Sequence, residues 1–105
     1  MLLGDKPFHF AGPNIYWLGL DGNEGGVTYP SHFRVDDALA TAQAMGATVV
    51  RAHTLGISVG CSLCVEPKLG MFNETALQHI DYAIKAAHDH SIRLIIPLID
   101  NWRYY

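Results

Sequence analysis

Arg51 and His53 are the residues of this chain whose types and spacing point most directly to chemistry. They close the run Thr48-Val49-Val50-Arg51-Ala52-His53, whose β-forming residues follow a helix-stopping Gly46 and read as a buried strand reaching a sheet edge. Period-two alternation puts Val49, Arg51 and His53 on one face and Thr48, Val50 and Ala52 on the other. A guanidinium in such a strand is costly unless a carboxylate pairs with it or it stands at a solvated mouth. Arg51 is therefore either half of a structural ion pair or part of a ligand site. Ligands of parallel α/β folds sit at the carboxyl ends of strands, which adds weight to the second reading.

Asn14-Ile15-Tyr16-Trp17 is a second candidate set. A first strand ends near Asn14, and Asn14 shares a face with Tyr16 if the extension persists. Aromatic rings at a strand mouth suit stacking on a flat apolar ligand face, and asparagine both donates and accepts. The plainer roles are core packing for Trp17 and a turn for Asn14. Cys61-Ser62-Leu63-Cys64 has CxxC spacing, but zinc needs four ligands, and adding His53 still leaves one missing. A redox CxxC normally opens a helix after a strand, whereas this one lies inside a long loop. It reads as an ordinary loop pair, reduced or joined by a short disulfide. The Asn-Glu dipeptides at 23–24 and 73–74 follow no strand, and no residue set calls for a metal or a cofactor.

The elements that must position these residues are legible in part. Ser31 caps a helix with apolar positions at Val35, Ala38, Leu39, Ala42 and Met45, and Asp36 and Asp37 in its early turns suit the helix dipole. A long loop from Thr54 to Phe72 follows the Arg51 strand. Asn73 caps a second helix with Leu77, Ile80, Ile84 and Ala87 on one face and His88 and His90 in its last turn. Asn73-Glu74-Thr75 also spells a glycosylation acceptor, although the cap explains the asparagine. A third strand runs from Arg93 to Ile99, with Pro97 forcing a bulge near its end.

Strand, helix, strand, helix, strand is an α/β pattern with a parallel sheet and right-handed crossovers, at about forty residues per unit. The chain reaches Asp100-Asn101-Trp102-Arg103-Tyr104-Tyr105 just where a loop should lead into a third helix. Three strands and two helices leave one sheet face bare, so residues 1–105 read as an opening segment of a larger domain. A net charge of -3, with 7 Lys and Arg scattered along the 105 residues, argues against a nucleic-acid or anionic-membrane surface. No apolar stretch reaches the length of a membrane span, and Met1 to Lys6 is too short and too soon charged for a signal peptide.

Four motifs in series carry a family resemblance: Gly12-Pro13-Asn14-Ile15-Tyr16-Trp17-Leu18, Gly46 to His53, Ile80-Asp81-Tyr82, and Arg93 to Trp102. In this order and spacing they resemble the N-terminal part of glycoside hydrolase family five enzymes of the fungal endo-β-1,4-mannanase type, over nearly the whole chain. The resemblance implies the first β/α units of a (β/α)8 TIM barrel, roughly three times this length, that hydrolyses β-linked polysaccharide, mannan in the first place, with retention. It implies that Arg51 lies beside the nucleophilic carboxylate and keeps it ionised, and that Asn14, Tyr16, Trp17, His53, Asn101 and Trp102 line the glycone side of the cleft. The family places its acid/base glutamate after the fourth strand and its nucleophile after the seventh, both outside this chain. Retaining hydrolysis needs two carboxyl groups about 5 Å apart, so the 105 residues alone are expected to be inactive. The unpaired edges of the first and third strands are expected to invite association, and the full-length enzyme is expected to be secreted. Two alternatives stay open: a non-catalytic sugar-binding module using Trp17 and Trp102, and an unrelated small α/β domain binding metal through Cys61, Cys64 and a histidine.

Overall fold

A computed structural model describes residues 1–22 and 26–103, and the side chains of residues 100–103 are outside the description, as is the Asn23-Glu24 dipeptide. The chain opens with a small antiparallel hairpin, β1 (Leu2–Leu3) and β2 (Lys6–Pro7). The α/β part comprises α1 (His32–Ala44), β3 (Val49–Arg51), β4 (Ile57–Val59), α2 (Glu74–Asp89), β5 (Arg93–Ile95) and β6 (Ile99–Arg103).

Three passes of the chain lie side by side in parallel. β5 pairs with one edge of β3, matching Arg51 to Ile95. On the other edge Arg51 bridges to Asn14: the Ile15 amide donates to the Arg51 carbonyl (2.9 Å) and the Arg51 amide to that of Pro13 (3.2 Å). The expected first strand is thus a single ladder step. Its approach is close enough to need a glycine, because a Cβ on Gly12 would stand 1.7 Å from the Val49 carbonyl oxygen.

The Arg51 strand is shorter than expected, giving way after Ala52 to a turn of 3₁₀ helix over His53–Leu55. The third strand also departs from expectation. It is not continuous from Arg93 to Ile99 but splits into β5 and β6 around Pro97, which has no N–H for a ladder. Beyond the break the pairing resumes between β4 and β6, starting from the Ile57 amide on the Leu98 carbonyl (3.1 Å).

Both helices cover one face of the sheet. Ser31 caps α1 by accepting from the Arg34 amide, and Val35, Leu39 and Ala42 point into the core with Leu18, Val50, Ala52 and Leu55; Met45, expected inside, is exposed at the helix end. Asn73 caps α2, accepting from the Thr75 and Ala76 amides. Of the expected Leu77-Ile80-Ile84-Ala87 stripe, the fully buried face of α2 keeps only Ala87. It is an alanine face, Ala76, Ala83, Ala86 and Ala87, with Ile80 at its margin and Ile84 exposed. Small side chains let the helix settle closely on its neighbours, which leaves Leu77 and Ile80 half-buried and Ile84 exposed.

The loop between β3 and α2 folds back on itself. Ser58 is buried and accepts from the Val65 amide, and Cys61 and Cys64 form a disulfide. Tyr29 clamps this turn by donating to the Leu63 carbonyl (2.9 Å), while Asn73 donates to the Tyr29 hydroxyl (3.2 Å). Burial is the larger influence on the Tyr29 hydroxyl and pushes its pKa up.

Candidate functional site

The face of β3 opposite the helices carries Arg51 at the strand's carboxyl end. From there its guanidinium reaches both neighbouring positions, donating to Asn14 Oδ1 (3.3 Å) and to His53 Nδ1 (3.2 Å). A guanidinium has no acceptor, so His53 Nδ1 must accept, which puts the imidazole proton on Nε2. One cation thereby orients an amide and a ring. Among the described residues Arg51 meets no carboxylate, so of its two readings the structural ion pair finds no support there.

Asn14, Tyr16, Arg51 and His53 together line an open cavity of about 430 Å³, within the size range of small-molecule sites. The arrangement offers a fixed positive charge, imidazole and amide hydrogen-bonding groups, and a half-exposed aromatic ring. That combination can donate to and accept from polar ligand groups while a flat ligand face packs on tyrosine.

Trp17 does not join them. Trp17 falls with Ile15 on the helix side, the face opposite Asn14 and Tyr16. There it packs against the core beneath Arg34, whose guanidinium carbon lies 4.3 Å from the ring centre. Arg34 in turn pairs with the fully buried carboxylate of Asp21. Asn101 and Trp102 belong by backbone to β6, and their side chains lie outside the described residues.

Two residues that hold the segment between Tyr16 and Asp21 carry no mark in the sequence. Asp21 is one; an aspartate after Leu18-Gly19-Leu20 looks like loop polarity until Arg34, 13 positions away, is seen against it. Thr54 is the other, and its partners are 34 to 38 positions away. Nothing local could signal either.

A larger cavity, about 510 Å³, lies between α1 and α2 and is lined by His32, Gln78, His79, Asp81, Tyr82 and Lys85. It belongs to the helix layer rather than the strand ends. A ladder of rings runs beside it: Tyr29 stacks on His79 (4.2 Å between centres), and His32 stacks on Tyr82 (3.5 Å). The Tyr82 hydroxyl donates to Asp36 (2.5 Å), a bond that raises the phenol's pKa and ties α2 to α1. Burial, with His32 nearby, lowers the pKa of His79. These contacts account for the ring cluster as helix packing, and the strand-end cavity is the candidate site.

No family model matches the chain. Curated relatives do. The chain is 32% identical over 105 residues to mannan endo-1,4-β-mannosidase 2 of Oryza sativa subsp. japonica, covering 100% of this chain and 22% of the relative. It is 30% identical over 104 residues to mannan endo-1,4-β-mannosidase 5 of Arabidopsis thaliana, covering 99% and 23%. It is 31% identical over 100 residues to mannan endo-1,4-β-mannosidase 5 of Solanum lycopersicum, covering 95% and 23%. The chain thus spans about a fifth to a quarter of the length of the relatives it matches. It is similar, over nearly its whole length, to one part of proteins named as mannan endo-1,4-β-mannosidases in several plants.

Proposed function

We propose that these 105 residues are the opening β/α units of a (β/α)8 barrel that hydrolyses β-1,4-linked mannan with retention, and that the strand-end cavity is part of its sugar-binding cleft. The observation that carries this reading is the convergence of Asn14, Tyr16, Arg51 and His53 at the ends of parallel strands, the position at which barrel folds bind substrate. Arg51 is assigned a supporting role beside a nucleophilic carboxylate supplied from outside this chain. A neighbouring guanidinium favours the ionised form that must attack the sugar. Asn14, Tyr16 and His53 are assigned to substrate hydroxyls and ring faces, and Asn101 and Trp102 keep the substrate-binding role that the family resemblance implies.

On this reading residues 1–105 turn over no polysaccharide alone, because retention needs two carboxyl groups about 5 Å apart. Exposed Ile95, Ile96, Leu98 and Ile99 around the outer strand would be covered by further β/α units in the longer protein and would drive self-association of the isolated segment. Secretion of the longer protein accords with its insoluble substrate and with the Cys61–Cys64 disulfide. The test is to assay mannan breakdown by the protein at the length of its relatives beside the 105-residue segment, with sedimentation of the segment. Reducing ends released by the long form only, and a segment that associates with rising concentration, are expected. A long form inert on mannan, or an active segment, contradicts the proposal.

A further inference from the structure

We propose that Thr54 is a positioning residue for the cleft, setting the distance between its two walls; the inference rests on the reading of the strand-end cavity as a sugar site. One wall is Arg51 at the end of β3 and His53 at the start of the 3₁₀ turn that follows it. The other, Tyr16, belongs to the turn that follows the first ladder step. Thr54 joins them. Its hydroxyl donates to the Tyr16 carbonyl (2.6 Å) and accepts from the Gly19 (3.0 Å) and Leu20 (3.1 Å) amides, while its own amide donates to the same Tyr16 carbonyl (2.8 Å).

A hydroxyl has one proton to give and two lone pairs to fill, and here all three are used. The side chain is buried, so water offers no ready replacement. The contact is also tight: a Cβ on Gly19 would lie 2.4 Å from the Thr54 carbonyl oxygen, so Gly19 is the residue that lets the turn come this close. Thr54 follows His53 directly in the chain and touches the turn on both sides of Trp17. A movement of the turn relative to β3 would therefore separate Tyr16 from His53 without disturbing the Arg51 contacts.

Valine keeps the shape of threonine and removes the hydroxyl, leaving two buried amides without their acceptor; serine keeps the hydroxyl. The experiment compares Thr54→Val and Thr54→Ser in the protein at the length of its relatives, using manno-oligosaccharide kinetics and site-resolved amide exchange. Thr54→Val is expected to raise KM about tenfold with kcat within about twofold, and to speed exchange at Gly19 and Leu20 but not at Val50. Thr54→Ser is expected to restore both. An unchanged KM with active enzyme overturns the proposal. So does faster exchange at Val50 along with the turn, which would make Thr54 a general stability residue. If the unmutated protein shows no action on the oligosaccharide, the reading of the site fails instead. The exchange pattern still decides whether Thr54 holds the turn: unchanged exchange at Gly19 and Leu20 refutes it.

Discussion

At the scale of single residues, the neighbours Tyr16 and Trp17 separate cleanly by role. Tyr16 lines the strand-end cavity, and Trp17 lies on the opposite side between Arg34 and the core. Tyr16→Ala is therefore expected to weaken manno-oligosaccharide binding by the longer protein roughly tenfold while leaving its stability nearly unchanged. Trp17→Ala is expected to do the reverse, costing about 3 kcal/mol in denaturant unfolding through lost packing. Calorimetric titration and urea melts on both variants check the pair; a binding loss confined to Trp17→Ala would reverse the assignment. The shared face of Arg51 and His53 was legible, because period-two alternation survives as far as His53. The family resemblance put Trp17 in the cleft; its plainer role, core packing, is the one it takes, on the side that alternation from Asn14 and Tyr16 assigns to it.

At the scale of elements, caps were easier to read than faces. Ser31 and Asn73 announce their helices by local chemistry, and both do cap them. The buried face of α2 was hidden because two stripes at helical spacing compete in its sequence. Size favours Leu77, Ile80 and Ile84, whereas close packing selects the alanines. The break at Pro97 was half legible: the missing donor was evident, but the resumption of pairing through Ile57 and Leu98 was not. Close approach of the first ladder step to β3 gives a prediction at this scale. Gly12→Ala drives a methyl into the Val49 carbonyl and should cost about 3 kcal/mol, measured as a lower urea midpoint with an unchanged slope. A midpoint equal to that of the unmodified protein would show that the strands are not so close.

For the molecule as a whole, the helix layer carries its own pH dependence. The pKa of His79 is lowered in the folded protein relative to its ordinary 6.5. Between that lowered value and 6.5 the unfolded chain binds the proton that the folded chain refuses, so this contribution is complete above about 6.5 and declines as the pH falls through it. Tyr82 works at the other end. Its pKa is raised above 10.0, so its contribution is complete below that value and lost as the pH rises through the folded value. Urea unfolding from pH 5 to pH 7 is expected to show stability rising with pH, with His79→Gln flattening the slope; an unaltered slope in the variant would remove His79 as the cause.

The α/β order of elements was legible because helices and strands alternate with distinct periods. The pairing of β4 with β6 was not, because it is made by segments that read as loops. The same scale holds the central claim, that the strand-end cavity serves a polysaccharide hydrolase. Its most direct measurement is kcat/KM on mannan for the protein at the length of its relatives, unmodified and with Arg51→Met and Arg51→Lys. Arg51→Met loses the charge and both hydrogen bonds and should lower kcat/KM about 100-fold, while Arg51→Lys keeps the charge without the fork and should fall between. A folded Arg51→Met protein that degrades mannan at the unmodified rate would contradict the assignment of this cavity to catalysis.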